Sequence, residues 1–191
     1  MSYLSASELE SIGFKCIGKN VAISNKASFY NPNLISIGDN SRIDDFCILS
    51  AGEGGITIGK YVHISCYCCL IGKEAILLQD YSGLSSRVTI YSSSDDYSGL
   101  FMTNPTVDRQ FTNVQHKPVE IGKHAIVGAG SVLLPGVIIN TGAAVGALSL
   151  VTKTVKAFTI VRGSPAVFLK NRSKKLLELE ENFNKSSMLK L

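Results

Sequence analysis

The sequence predicts an all-β fold built as a solenoid, and three observations support this prediction. The 191 residues include 18 isoleucines and 14 valines, and such β-branched side chains favour strands over helices. Charged residues make up 18% of the chain, whereas an ordinary soluble domain has roughly 25%. Pairs of an aliphatic residue and a glycine recur along the chain, and near its C-terminal end they follow a period of six residues.

The repeat is most regular between residues 121 and 156. An aliphatic residue opens each of six consecutive hexads there, and a small residue is fifth in four of them. A period of six is neither the 3.6 of a helix nor the alternation of an isolated strand. It predicts short strands joined by corners, with one large aliphatic side chain pointing inward and a glycine that turns the backbone. The six opening residues are Ile121, Val127, Leu133, Ile139, Val145 and Val151.

The other elements follow in chain order. Ser5 to Glu8 form a capping box, which predicts a short N-terminal helix. Earlier hexads between residues 17 and 90 fit with slippage, so the offsets near 30–36, 50–57 and 71–77 are interpreted as corner insertions. Between Asp95 and Pro118 the period is lost, which predicts a protruding loop.

The last predicted element is a charged amphipathic helix over Ser173 to Asn182, and the two terminal helices are expected to cap the open edges of the solenoid. The whole chain, 1–191, is therefore expected to be one domain. It would consist of an N-terminal cap over 1–14, the solenoid over 15–156 with its loop over 95–118, and an exit segment with the C-terminal helix over 157–191.

Composition also limits the classes of function. No stretch approaches the ~20 apolar residues of a membrane span, and the first residues lack the features of a signal peptide. Five cysteines, three of them crowded at 66, 68 and 69, are typical of reduced thiols. We therefore expect a cytoplasmic protein with no membrane partner. The net charge of +4 is too small and too dispersed to indicate nucleic-acid binding.

The repeat resembles that of the hexapeptide-repeat acyltransferases, most specifically in IGKHAIVGAGSVLLPGVIINTGAAVGALSLVTKTV and VRGSPAVFLK. The resemblance implies a left-handed parallel β-helix, although the general crossover rule alone would predict a right-handed coil. It also implies acetyl-CoA or another acyl-CoA as co-substrate, and a homotrimer with active sites between subunits. Within the family, the chain is most similar to saccharide O-acetyltransferases and to N-acyltransferases of nucleotide-linked 4-amino-4,6-dideoxy sugars.

Asp95 is the position that separates these two groups. In the galactoside and maltose acetyltransferases a histidine after a V-T-[LI] strand is the general base, and aligning Val88-Thr89-Ile90 with that strand places Asp95 there. An alcohol needs a base with a pKa near the operating pH, and a carboxylate near 3.9 is poorly matched. A neutral amine is already nucleophilic. Asp95 therefore favours an amine as the acceptor, by direct attack on the thioester. Together with this, the resemblance implies transfer of an acetyl group to the amine of a nucleotide-linked sugar, for surface polysaccharide synthesis.

Resemblance to the amino-sugar N-acyltransferases implies a proton relay of Asp95 and Ser85, with Asp96 as a further candidate. The simpler interpretations are a solvated loop start for the two aspartates and an ordinary solenoid position for the serine. His63 is an alternative base, and with it O-acetylation of a saccharide is the alternative reaction. A non-catalytic trimeric scaffold is the third possibility. His63 and the nearby cysteines alternate faces along a strand, so no metal site is expected.

For coenzyme A, the resemblance assigns backbone groups of Ala129 and Ala147 to the pantetheine arm and Thr152-Lys153 to the adenosine end. Lys170 corresponds to an arginine that faces the 3′-phosphate in relatives. A second arginine of that pattern is Val167 here, and Arg162 is the candidate to compensate. For the acceptor, Arg42, Arg87, Arg109 or a tyrosine are candidates, and the spacing does not choose among them.

Overall fold

The computed structural model describes residues 2–188 and shows a three-sided solenoid in which each circuit of the chain, called a coil here, contributes one strand to each of three sheets. The first sheet contains Cys16–Ile17, Ile35–Ile37, Ile56–Ile58, Ile76–Leu78, Val119–Ile121 and Ile138–Ile139. The second contains Ala22–Ile23, Arg42–Ile43, His63–Ile64, Gly83–Leu84, Ile126–Val127, Ala144–Val145, Thr159–Arg162 and Val167–Asn171. The third contains Ser28–Tyr30, Ile48–Ala51, Cys69–Gly72, Thr89–Tyr91, Val132–Leu133 and Leu150–Val151.

Strands of successive coils pair in parallel and keep the hexad phase. Ile37 lies opposite Ile58, Ile58 opposite Leu78, and Leu78 opposite Ile121. These side chains are at most 2% exposed and form one continuous column of the core. Burying one such side chain contributes about 1.5–3 kcal/mol, so the stacked aliphatic residues stabilise the coil-to-coil pairing. The predicted all-β solenoid is confirmed.

The glycine after each inward aliphatic residue has a different role from the predicted one. A Cβ atom on Gly38 would lie 2.6 Å from the carbonyl carbon of Gly59, and one on Gly128 would lie 2.5 Å from the amide nitrogen of Ala147. Neither glycine has a positive φ. These glycines are needed because the next coil's backbone passes too close for a side chain. The left-handed corner residues are instead mostly polar or aromatic, as at Tyr61 and Tyr81, whose rings stack 5.0 Å apart.

The N-terminal helix, Ala6–Ile12, begins with the predicted capping box: Ser5 accepts from the Glu8 amide and the Glu8 carboxylate accepts from the Ser5 amide. Leu9 and Phe14 pack against the first coil. The end of the chain differs from expectation. The C-terminal helix is Lys175–Met188 rather than 173–182, and it lies along a corner instead of capping an edge. The antiparallel hairpin of Thr159–Arg162 and Val167–Asn171 ends the second sheet.

The helix is held at that corner by polar and aromatic contacts. Glu180 accepts from Lys123 Nζ at 2.6 Å and bonds His124 Nε2 at 2.7 Å, and the Phe183 ring packs edge-on against Tyr61. Residue 1 of the predicted cap and residues 189–191 of the predicted C-terminal segment lie outside the described residues. No helix in the described range 2–188 is long and apolar enough to cross a membrane.

The chain leaves the solenoid after the third-sheet strand that ends at Tyr91 and returns at Val119. Buried Ser92 fixes the exit, since its hydroxyl donates to the Glu74 carbonyl at 2.7 Å. Ser93–Ser94 then pairs with Gln115–His116 as a short antiparallel ladder. The rest of this loop has one 3₁₀ turn, Arg109–Phe111. The loop is therefore anchored at its base by paired backbone on both sides.

Candidate active site

Two corners of the solenoid carry the candidate residues. The serine corner consists of the residues between second-sheet and third-sheet strands, at 24–27, 44–47, 65–68, 85–88, 128–131 and 146–149. The loop corner consists of the residues that follow third-sheet strands, at 31–34, 52–55, 73–75, 92–118, 134–137 and 152–154.

The serine corner brings Ser85 and three of the predicted coenzyme residues into one line. Leu84, Val127, Val145 and Val161 are successive partners in the second sheet, so the residues that follow them stack along the corner. This places Ser85, the exposed Ala129 and Ala147, and Arg162 on four consecutive coils. With strands about 4.8 Å apart, the line from Ser85 to Arg162 is about 14 Å long. Lys170 lies beside it, opposite Ile160 on the last strand.

Asp95 lies at the loop corner and lines a cavity of about 600 Å³. Lys73 and Arg109 line the same cavity and bring positive charge to it, and Glu53 and His116 line it as well. Lys73 Nζ is 3.5 Å from the Glu53 carboxylate, and His116 Nδ1 is 2.8 Å from the Ser93 hydroxyl. The cavity thus combines two carboxylates, those of Asp95 and Glu53, with the cations of Lys73 and Arg109, which are suited to an anionic ligand.

Asp96 is occupied within the loop itself. Its carboxylate accepts from the Ser98 amide at 2.7 Å, from the Ser98 hydroxyl, and from Asn113 Nδ2 at 3.2 Å. The hydrogen bonds from Ser98 lower the pKa of Asp96 below its ordinary value. This pattern is that of a turn that closes on its own aspartate. The Asp96 carboxylate is therefore engaged within the loop, whereas Asp95 lines the cavity.

Ser85 and Asp95 belong to the same coil but to different corners. The backbone from Val88 to Ser92 runs along the third side, around the strand Thr89–Tyr91. At about 3.3 Å per residue this stretch covers about 13 Å, which exceeds the combined reach of a serine and an aspartate side chain. Thr152 and Lys153 also lie at the loop corner, on the same coil as Ala147. Within one chain, therefore, the predicted catalytic residues and the predicted coenzyme-binding residues are each split between the serine corner and the loop corner.

His63 lies on the outward side of the second sheet and is held by a carboxylate. Its Nε2 is 2.9 Å from Asp44 Oδ2, and Arg42 Nε donates to Asp44 Oδ1 at 2.6 Å. The Asp44 side chain is 4% exposed. Burial raises the pKa of Asp44, but the hydrogen bonds from Arg42 and His63 outweigh it and leave that pKa below its ordinary value. The sequence did not reveal this group, although all three residues are one coil apart or closer.

The cysteines do not form a reactive centre. All five are free thiols, and the Sγ atoms of Cys47 and Cys68 donate to the carbonyls of Ser65 and Ser85 at 3.1 Å each. A hydrogen bond with Cys47 and burial raise the pKa of Cys68 far above its ordinary value. The described residues contain no group of three or more histidine, cysteine, aspartate or glutamate side chains placed to hold a metal ion.

No family model matches the sequence. The chain is 53% identical over 188 residues to the dTDP-4-amino-4,6-dideoxy-D-glucose acyltransferase of Escherichia coli, and the match covers 98% of both chains. The chain belongs to the hexapeptide-repeat acyltransferases. The present chain is also 30% identical to the putative colanic acid biosynthesis acetyltransferase WcaF of E. coli K12, over 82% of this chain and 69% of WcaF.

A solved structure is similar to the acyltransferase over its whole length. The N-acyltransferase AntD from Bacillus cereus, crystallised with dTDP and 3-hydroxybutyryl-CoA, superposes with a TM-score of 0.94 at 46% identity. The match covers 97% of this chain and 98% of AntD. Structures also exist of AntD variants in which a serine or an aspartate is replaced, and these two residues are ten positions apart in AntD.

Proposed function

We propose that the enzyme transfers an acyl group from acyl-coenzyme A to the amine of a nucleotide-linked 4-amino-4,6-dideoxy sugar. The observation that carries this proposal is the 53% identity, over nearly the full length of both chains, to an acyltransferase of such a sugar nucleotide. The binding of dTDP and an acyl-CoA by AntD supports it. We further propose that the product is a precursor of surface polysaccharide, and that the five free thiols reflect a cytoplasmic location.

The coenzyme is proposed to lie along the serine corner. Ala129 and Ala147 are exposed on successive coils and present backbone groups to a pantetheine arm. Arg162, one coil further, supplies a cation for a phosphate, with Lys170 on the neighbouring strand. This order places the adenosine end near Arg162 and the thioester near Ser85. Acetyl-CoA is the simplest donor for this arrangement.

We infer that the enzyme is a homotrimer whose threefold axis runs parallel to the solenoid axis. Such an axis keeps equal coils at equal heights, so the serine corner of one subunit would face the loop corner of the next. Ser85 would then meet Asp95, and Ala147 would meet Thr152 and Lys153, because each set shares a coil. The outward side chains of the third sheet support this contact, since within the described strands they are uncharged: Ser28, Tyr30, Ile48, Ser50, Cys69, Ile71, Thr89, Tyr91, Val132 and Leu150.

In the proposed reaction the amine nitrogen attacks the thioester carbonyl carbon, and the bond between carbon and sulfur then breaks. The Asp95 carboxylate orients the amine and accepts the proton that it loses, while the leaving coenzyme A thiolate is the final proton acceptor. Ser85 passes the proton between them. The AntD variants support both assignments, because Ser85 and Asp95 are also ten residues apart. Of the arginines considered for the acceptor diphosphate, Arg109 shares the cavity with Asp95.

The test is release of free thiol from acetyl-CoA in the presence of different acceptors. A dTDP-linked 4-amino-4,6-dideoxy sugar should give rapid release, and the matched dTDP sugar with a 4-hydroxyl should give none. Release with plain saccharides instead would establish O-acetylation and contradict the proposal. A scaffold without activity would show no coenzyme A binding in titration calorimetry.

A further inference from the structure

Gly83 is a glycine that the fold does not require. All 17 glycines lie in the described part of the chain, and sixteen have either a positive φ or a neighbour within 3.0 Å of the position of a Cβ atom. Gly83 has neither: the nearest atom to that position is the His63 carbonyl oxygen at 3.8 Å. A glycine inside a strand costs about 0.5–1 kcal/mol relative to alanine. Such a residue commonly marks a place where a ligand approaches the backbone closely.

The missing side chain leaves a notch on the outward side of the second sheet. In register, Gly83 lies between His63 on the preceding coil and Ile126 on the following one. The His63 ring is drawn to Asp44 on its far side, 2.9 Å away, so it does not fill the space. Ile126 is 44% exposed and supplies an apolar wall. The notch has an open floor, one apolar side and one side that is fixed by a buried carboxylate.

The position of the notch selects its occupant. On the proposed path, coenzyme A passes Arg162, Ala147 and Ala129 and reaches the coil of Ser85 with its sulfur. The part of the donor that remains beyond the sulfur is the acyl chain. Gly83 precedes Ser85 by two residues on the same coil, about 7 Å away along the second sheet, so an acyl chain that turns from the corner onto this sheet reaches it. A nucleotide or a sugar ring is too large for a space made by one absent side chain.

We propose that the notch at Gly83 receives the acyl chain of the thioester and sets its maximum length. This inference rests on the proposed function, because it uses the same donor and the same path. An acetyl group ends in one methyl and leaves the notch empty, whereas a four-carbon chain is long enough to reach Gly83. The enzyme therefore accepts butyryl-CoA as well as acetyl-CoA, and a side chain at position 83 discriminates between them.

The experiment compares kcat/KM for acetyl-CoA and butyryl-CoA, with one amino-sugar nucleotide as acceptor, in the wild type and in Gly83→Ala and Gly83→Val. In the wild type the two values should agree within about tenfold, and each variant should lower the ratio of butyryl to acetyl transfer by at least about tenfold. A general loss of folded enzyme lowers both values equally and leaves the ratio unchanged. Ala22→Val, on the same outward row of the first coil, is the matched control and should keep the wild-type ratio.

A wild type that transfers acetyl but not butyryl groups would overturn this inference, as would an unchanged ratio in both Gly83 variants. Either result leaves the proposed function in place. Absence of transfer from both donors, to every amino-sugar nucleotide tried, would overturn the proposed function and this inference with it.

Discussion

If Ser85 and Asp95 meet across a subunit boundary, two inactive variants should restore each other. Ser85→Ala and Asp95→Asn should each lower turnover by at least about tenfold, as expected for the loss of a proton-transfer group. Within one chain the two residues are separated by about 13 Å of strand, so each site must take them from different subunits. In a trimer that contains both variants, whatever its composition, one of the three boundaries pairs an intact Ser85 with an intact Asp95. Mixed trimers should therefore show about one third of the wild-type turnover.

The assay uses co-expression of the two variants with different affinity tags, followed by purification on both tags in sequence. Thiol release from acetyl-CoA then gives turnover per trimer, and native mass spectrometry verifies the subunit composition. Doubly tagged trimers of Asp95→Asn alone are the control and should stay at the level of the single variant. Verified mixed trimers with no recovery would refute the reasoning, because they would show that both groups act from one chain.

Predictions for four further variants concern stability, each measured as the free energy of unfolding in denaturant. Asp44→Asn should cost about 1–2 kcal/mol at neutral pH, because it weakens the hydrogen bonds to Arg42 and His63. Since folding lowers the pKa of Asp44, the greater stability of the wild type should be complete above about pH 3.9 and disappear as the pH falls further. A difference in stability between wild type and variant that is the same at every pH would contradict the role of the ionised carboxylate. Gly72→Ala should cost about 2–3 kcal/mol, because φ at Gly72 is +148° and a Cβ atom there would lie 2.7 Å from the Ser92 amide. Gly83→Ala should instead stabilise the fold by about 0.5 kcal/mol. An equal loss of stability in Gly72→Ala and Gly83→Ala would show that open space around the glycine does not decide whether alanine stabilises or destabilises the fold. Arg172→Ala should cost about 2 kcal/mol, because Arg172 Nη1 bonds three carbonyls, those of His124, Gly142 and Ala143, at 2.9–3.2 Å; an unchanged value would mean that water replaces the guanidinium.

The hexad period was sufficient to predict the solenoid, because each repeat places one aliphatic residue in the same environment. Its regular part, from Ile121 onward, is also where the structure departs least from six residues per side. The C-terminal helix was harder to place. Its composition indicates a helix, but its position depends on Glu180 and Phe183 meeting Lys123 and Tyr61, which are far away in the chain.

The sequence names candidate site residues but does not show how they are arranged. Family resemblance named Ser85 and Asp95, yet only the register of the strands shows that they occupy different corners of one coil. The partnership of Asp44 with His63 was missed because it crosses between coils of unequal length. A signal for Gly83 was present: it directly precedes the inward Leu84, whereas the repeated glycines follow the inward residue.

The corner that carries Ser85, Ala129, Ala147 and Arg162 advances by one strand spacing per coil, about 4.8 Å. Distances between residues along this corner are therefore whole multiples of the strand spacing. A point mutation changes the side chain at one of these positions, whereas only the gain or loss of a whole coil changes the distance between two positions. If the coenzyme lies along this corner as proposed, its length fixes how many coils must separate the reacting end from the phosphate end, whereas acceptor and acyl preference can change residue by residue.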